Sequence, residues 1–103
     1  MAEFVRICAK SELPPSGQAR EMALGSRMLC LANENGVISA MDNVCPHRGG
    51  PLGQGIIENG KVICPLHAWA FDLKTGAVQH APHMRVAVYE VKVESEDVFV
   101  QLG

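Results

Sequence analysis

Residues 43–52 read Asn-Val-Cys-Pro-His-Arg-Gly-Gly-Pro-Leu, and residues 62–69 read Val-Ile-Cys-Pro-Leu-His-Ala-Trp. A Cys-Pro turn followed by a histidine therefore occurs twice. Cys45 and His47 stand in the first copy, Cys64 and His67 in the second. The spacing is C-x-H, sixteen residues, then C-x-x-H. Glycine and proline crowd the first copy, as a loop needs if it is to fold tightly and bring backbone N–H groups close to a ligand. Two thiolates and two imidazoles on two loops able to face each other are a donor set for zinc or for an iron–sulfur cluster.

Outward from these loops the chain reads as short strands separated by turn signals, with no stretch of sustained helical period. Phe4–Cys8 and Glu21–Leu24 read as strands flanking a loop that holds Pro14 and Pro15. Asn33-Glu34-Asn35-Gly36 predicts a hairpin between "RMLCLA" and "GVISAM". Asn59-Gly60 predicts a second hairpin, which delivers Cys64 at the end of a strand. Residues 86–94 alternate with a slip of phase at Val88-Tyr89, which predicts a bulge there. "DVFVQL" reads as the closing strand. Regular strand spacing predicts an all-β fold, a small antiparallel sandwich or barrel from which about residues 43–71 project.

Composition narrows the function. With 103 residues, 48% apolar and 19% charged, the chain has the balance of an ordinary globular protein, and a single domain over 1–103 is expected. Nine basic residues against eleven acidic ones give a net charge of -2. No basic cluster exists, so nucleic acid is not an expected partner. The first ten residues, "MAEFVRICAK", lack the apolar core of a signal peptide, and no later run is long enough to span a bilayer. These features predict a cytoplasmic protein without a membrane partner. In a reducing compartment metal binding or buried thiols outweigh disulfides. Cys8 and Cys30, inside apolar runs without a nearby histidine, read as buried hydrophobes.

The order of the ligands separates zinc from iron. Cys2His2 zinc fingers pair cysteine with cysteine and histidine with histidine, whereas each loop here mixes the two. A Rieske centre has one iron on two cysteines and the other on two histidines, so mixed loops can each touch both irons. On these motifs the chain resembles the Rieske-type [2Fe–2S] ferredoxins over most of its length. The resemblance implies Cys45, His47, Cys64 and His67 as ligands of one [2Fe–2S] cluster. It also implies a fold of three small antiparallel sheets, and a third loop with Pro82, about residues 79–84, covering the cluster.

Departures from the respiratory branch carry further expectations. Gly50 and Leu66 stand where that branch has a disulfide joining its two loops. Trp69 and Phe71 stand where it directs serine and tyrosine hydroxyls at the cluster sulfurs. Fewer hydrogen bonds to sulfur predict a potential in the lower part of a range of roughly -150 to +300 mV. The free ring N–H of each histidine ligand implies proton uptake on reduction at high pH. Leu52, Leu66, Pro51 and Pro82 are expected as an apolar collar. Arg48 reads equally as a docking charge or a solvated residue. Trp69 is expected to pack core, His80 and His83 to lie at the surface, and Asp72 to serve a turn.

The chain has no G-x-G-x-x-G nucleotide fingerprint and no room for the mononuclear iron domain of an oxygenase. It is expected to carry single electrons between a reductase and a terminal oxidoreductase or large catalytic subunit. The runs "CPLHAWAFDLKTG" and "PHRGGPLGQGII" are similar to the small subunit of NAD(P)H nitrite reductases, the reading that leads here. They are also similar to the ferredoxin of aromatic-ring dioxygenase systems. A structural zinc module used for protein interaction is the alternative from another class, which colour distinguishes because zinc is spectroscopically silent.

Overall fold

The computed structural model describes residues 3–45, 50–66 and 68–102. Among them are eleven strands and no α-helix: β1 (Phe4–Ala9), β2 (Gln18–Leu24), β3 (Arg27–Glu34), β4 (Val37–Asp42), β5 (Ile56–Glu58), β6 (Lys61–Ile63), β7 (Ala70–Asp72), β8 (Ala77–Val78), β9 (Ala81–Arg85), β10 (Val88–Glu94) and β11 (Asp97–Gln101). All pairings are antiparallel, in the spatial order β1-β11-β10-β4-β3-β2-β5-β6-β7-β8-β9. The expected all-β antiparallel fold is what is found.

Hydrogen bonding joins these strands into one continuous ladder with several narrow joints, among them the single pair Phe71↔Val78 between β7 and β8. β10 meets β4 through Val88↔Met41 and Tyr89↔Ala40, and β2 meets β5 through Gln18↔Ile56 alone. The joints at β10–β4 and β2–β5 set off three groups within the ladder, β1/β11/β10, β4/β3/β2 and β5 to β9. Where three small sheets were expected, these groups are joined edge to edge into one antiparallel sheet, because a short pairing at each joint carries the ladder from one group to the next.

β3 explains why one of the apolar runs is continuous. Leu29, Cys30, Leu31 and Ala32 are all fully buried. Leu29 and Leu31 face a core with Cys8, Ala40, Val98 and Val100. Cys30 and Ala32 face a second core with Met41, Cys45, Leu52, Val62, Cys64 and Phe71. A strand with a core on each side has no face left to be polar. Burial pushes the Cys30 thiol up to about 12, with a smaller push from the Glu21 carboxylate. Both Cys8 and Cys30 are the buried hydrophobes expected of them.

The hairpin turns form at the expected dipeptides. Asn35 and Gly36 have φ 53° and 89°, and Asn59 and Gly60 have φ 50° and 74°, the left-handed pair that a two-residue turn of this hand needs. The phase slip at Val88-Tyr89 has a different cause from the expected bulge. The backbone leaves the ladder at Val86 and Ala87, and β10 then pairs without irregularity from Val88. Val86 is buried in the core that contains Cys45 and Cys64, while Tyr89 and Val91 pack on the other core. The chain crosses between two cores there, so its apolar phase is reset. Register shifts fall instead between Arg6 and Cys8 and between Ala77 and Val78.

Candidate metal centre

The first Cys-Pro loop leaves β4 at Asp42 and is closed like a small ladder of its own. Val44 bridges Pro51 in antiparallel sense, the Cys45 N–H donates to the Gly50 carbonyl at 2.9 Å, and the Leu52 N–H donates to the Asn43 carbonyl at 2.7 Å. These bonds bring residues 43–45 alongside 50–52.

A hairpin of three residue pairs delivers the second loop. Ile56↔Ile63, Ile57↔Val62 and Glu58↔Lys61 pair around Asn59-Gly60, and Cys64 follows at once. The Cys64 N–H donates to the Trp69 carbonyl at 2.8 Å, and the Ala68 N–H donates back to the Cys64 carbonyl at 3.0 Å. Ala68 takes φ 55° to close this tight turn, a conformation non-glycine residues seldom adopt.

Cys45 and Cys64 are 2% and 1% exposed and lie in one core with Leu52, Val62 and Phe71. The two loops meet through Gly50. A Cβ on Gly50 would stand 3.0 Å from the Cys64 Sγ and 2.9 Å from Leu66 Cδ1. The backbone of the first loop therefore lies directly over the thiol of the second, a cradle that a methyl group would fill. The same contact places Gly50 against Leu66, the two positions that the resemblance matches to a bridging disulfide elsewhere in the family. His47 and His67 lie outside the described residues, as does Arg48.

Of the collar residues, Leu52 is fully buried in the core instead of at the rim. It belongs to a 3-10 turn, Leu52–Gln54, that folds inward. Pro51 is half-buried, while Leu66 and Pro82 are exposed. The loop expected at about residues 79–84 is a turn only at 79–80, and from Ala81 the chain pairs with β8 as β9, on which Pro82 sits. Trp69 packs on the core as expected and meets the His80 ring edge to face at 4.8 Å. His80 and His83 are at the surface. The Asp72 carboxylate accepts the Lys74 and Thr75 N–H groups at 2.8 and 3.0 Å, and these bonds hold it below the usual carboxylate range. It serves the turn.

A polar cluster behind the first loop escaped the sequence reading. Asn43 is buried, and its amide joins the Gly53 N–H to the Glu21 carboxylate, which Gln54 also reaches. Glu21 is far from the loop in sequence, and nothing local to either segment signals the pairing.

The donor set and the cradle suit an iron–sulfur cluster: two soft sulfur donors in an apolar core, with a glycine backbone packed over one of them. Comparison with known proteins agrees. The chain is 35% identical over 96 residues to apoptosis-inducing factor 3 of Homo sapiens, covering 92% of this chain and 16% of that protein's length. It is 33% identical over 90 residues to the ferredoxin component of the naphthalene 1,2-dioxygenase system of Pseudomonas aeruginosa, covering 86% of each. Its fold superposes with a TM-score of 0.88 on a structure from Mycobacterium tuberculosis described as an NADH-dependent nitrite reductase small subunit, at 24% identity and covering 100% of this chain and 97% of that one. The family model of the Rieske [2Fe-2S] domain matches residues 3–92, and the chain belongs to that family, an electron-transfer protein whose cofactor is one Rieske-type [2Fe–2S] cluster.

Proposed function

We propose that Cys45, His47, Cys64 and His67 hold the cluster, and that the protein passes single electrons from a flavin reductase to the terminal oxygenase of a ring-hydroxylating system. When bound, the cluster supplies a one-electron redox centre. The chain's own residues bind it, keep water from it and present it. Cys45 and Cys64 supply thiolates from the core, and Gly50 closes the backbone over Cys64. Residues 43–71 are its binding region and 79–84 its cover, within one domain over 1–103.

The observation that carries this reading is the contrast between neighbours in the loops. Cys45 and Cys64 are buried, while Val44 next to one and Leu66 two residues from the other are 58% and 54% exposed. Exposed apolar groups beside a buried redox site suit a docking partner. Identity of 33% to a dioxygenase ferredoxin over nearly its whole length supports an oxygenase as that partner.

Nitrite reduction is the second reading, favoured by the run from Cys64 to Gly76 and consistent with the superposition at 0.88. Among the described residues no helix is long and apolar enough to cross a membrane, and the cytoplasm is the compartment proposed.

Iron and sulfide analysis with EPR of dithionite-reduced protein tests the ligand set. The expected result is two irons and two sulfides per chain with a Rieske spectrum, lost in Cys64→Ser and in His47→Ala. Zinc alone would defeat it. Stopped-flow reoxidation of the reduced protein by a ring-hydroxylating oxygenase, compared with a sirohaem nitrite reductase, tests the partner. Faster transfer to the latter would replace the first reading with the second.

A further inference from the structure

We propose that Glu21 is the positioning residue for the first ligand loop, acting from β2 through Asn43 and Gln54. Its two carboxylate oxygens take one end of the loop each. The Asn43 Nδ2–H donates to Oε2 at 2.6 Å, and the Gln54 Nε2–H donates to Oε1 at 2.9 Å. Asn43 then repeats the arrangement one layer outward. Its side-chain oxygen accepts the Gly53 N–H at 2.7 Å, and its backbone carbonyl accepts the Leu52 N–H at 2.7 Å. Both bonds tie the strand entering the loop to the turn leaving it.

The backbone seats on the same residue. A Cβ on Gly53 would lie 2.5 Å from Glu21 Cγ and 2.6 Å from its backbone nitrogen, so the turn rests directly on β2 at this position. From there the path to the cluster site is short. Val44 bridges Pro51, Cys45 bonds Gly50, and Gly50 lies over the Cys64 Sγ. A shift at Glu21 is carried through that ladder to both cysteines.

A carboxylate is the group this geometry demands. Both partners present amide N–H donors, and a carboxylate is acceptor-only on both oxygens. A glutamine of the same shape would accept one donor and turn an NH2 group against the other. Among the described residues Glu21 forms no ion pair. Its partly desolvated charge is balanced by these donors, which makes them the stronger, charge-assisted kind.

The inference rests on the ligand set proposed above, and its test separates the two. Protein as purified is compared with Glu21→Ala, Glu21→Gln and Asn33→Ala. The last removes a half-buried amide that makes two hydrogen bonds at the distant β3–β4 hairpin, to Pro14 and Gly36. Hydrogen exchange at the Leu52 and Gly53 amides is read alongside EPR of the reduced cluster. In Glu21→Ala both amides are expected to exchange about tenfold or more faster, and the EPR signal to broaden or shift in g. Glu21→Gln, close to isosteric and expected to fold in any case, should fall between Ala and the parent. Asn33→Ala should leave both readouts unchanged. Unchanged exchange in Glu21→Ala overturns the inference. So does faster exchange with a superimposable EPR spectrum, which would make the clamp a matter of stability alone. Should the parent protein hold no iron, the ligand set fails, while the amides still decide whether Glu21 clamps the loop.

Discussion

Gly50 shows how much of the site depends on an atom that is missing. Replacing it with alanine puts a methyl 3.0 Å from the Cys64 Sγ and 2.9 Å from Leu66, and overpacking of this sort costs about 1–3 kcal/mol. Gly50→Ala is expected to fold with an unchanged far-ultraviolet spectrum and to retain less iron per chain after gel filtration; full retention would show that the cradle gives way freely. Tyr89 supplies a pH dependence. Burial, followed by the hydrogen bond it donates to Asp42 at 2.5 Å, raises its pKa. The fold therefore favours the neutral phenol, and that contribution is complete below the unfolded value of about 10 and lost as pH rises through it toward the folded value. Urea midpoints at neutral and strongly alkaline pH should differ more in the parent than in Tyr89→Phe; an equal difference in the two would show that Tyr89 carries none of the pH dependence. At this scale the sequence was a good guide where chemistry is local. The buried thiols of Cys8 and Cys30 and the turn role of Asp72 followed from their neighbours. Leu52 did not, because whether an apolar residue beside a ligand lines the rim or the core depends on the direction of a 3-10 turn.

At the scale of elements, the hairpin from β5 to β6 sets where Cys64 emerges, and its turn was legible because Asn-Gly has few other uses. Gly60 sits at φ 74°, and a Cβ there would meet only Glu34 Oε1, at an ordinary 3.8 Å. Gly60→Ala therefore isolates the conformational cost, about 1–2 kcal/mol for a left-handed residue with a side chain. The denaturation midpoint should fall accordingly while the reduced EPR spectrum keeps its g values; altered g values would mean that the turn also aims the second loop. β10 was less legible. Its apolar phase changes between Val86 and Tyr89 because the chain passes from one core to the other. A sequence records that a residue is apolar, not which of two cores receives it, and a bulge and a crossing leave the same trace. The clamp of Glu21 on Asn43 and Gln54 was hidden for a related reason, since its partners come from segments that only the β2–β3–β4 pairing brings together.

The whole molecule is a sturdy block with a lighter appendage. β3 is buried on both faces between the two cores and pairs with β2 and β4 along most of its length. The strands from β5 to β9 are short and join that block at one joint, where the pair Gln18↔Ile56 is flanked by the Ile57 N–H on the Gly17 carbonyl and the Gly60 N–H on the Glu34 carboxylate, and they share with it the core that contains Cys45 and Cys64. In the ligand set proposed here, Cys45 and His47 follow β4 in the sequence, whereas Cys64 and His67 fall between β6 and β7 in it. The cluster would then be a second tie between appendage and block, and a strong one, since a ligand that binds only the folded arrangement stabilises it by mass action. Removing iron with a chelator should therefore loosen one part of the fold and not the other. Hydrogen exchange is the measurement, because it resolves opening of one unit from opening of the whole. In the iron-free protein the amides of Val62 and Phe71 are expected to exchange faster and at a common rate, while those of Leu29, Leu31 and Val98 keep the protection they have in the iron-loaded protein. Uniform acceleration across both sets would mean that the narrow joint at β2–β5 does not divide the fold and that the cluster stabilises the chain as one cooperative unit.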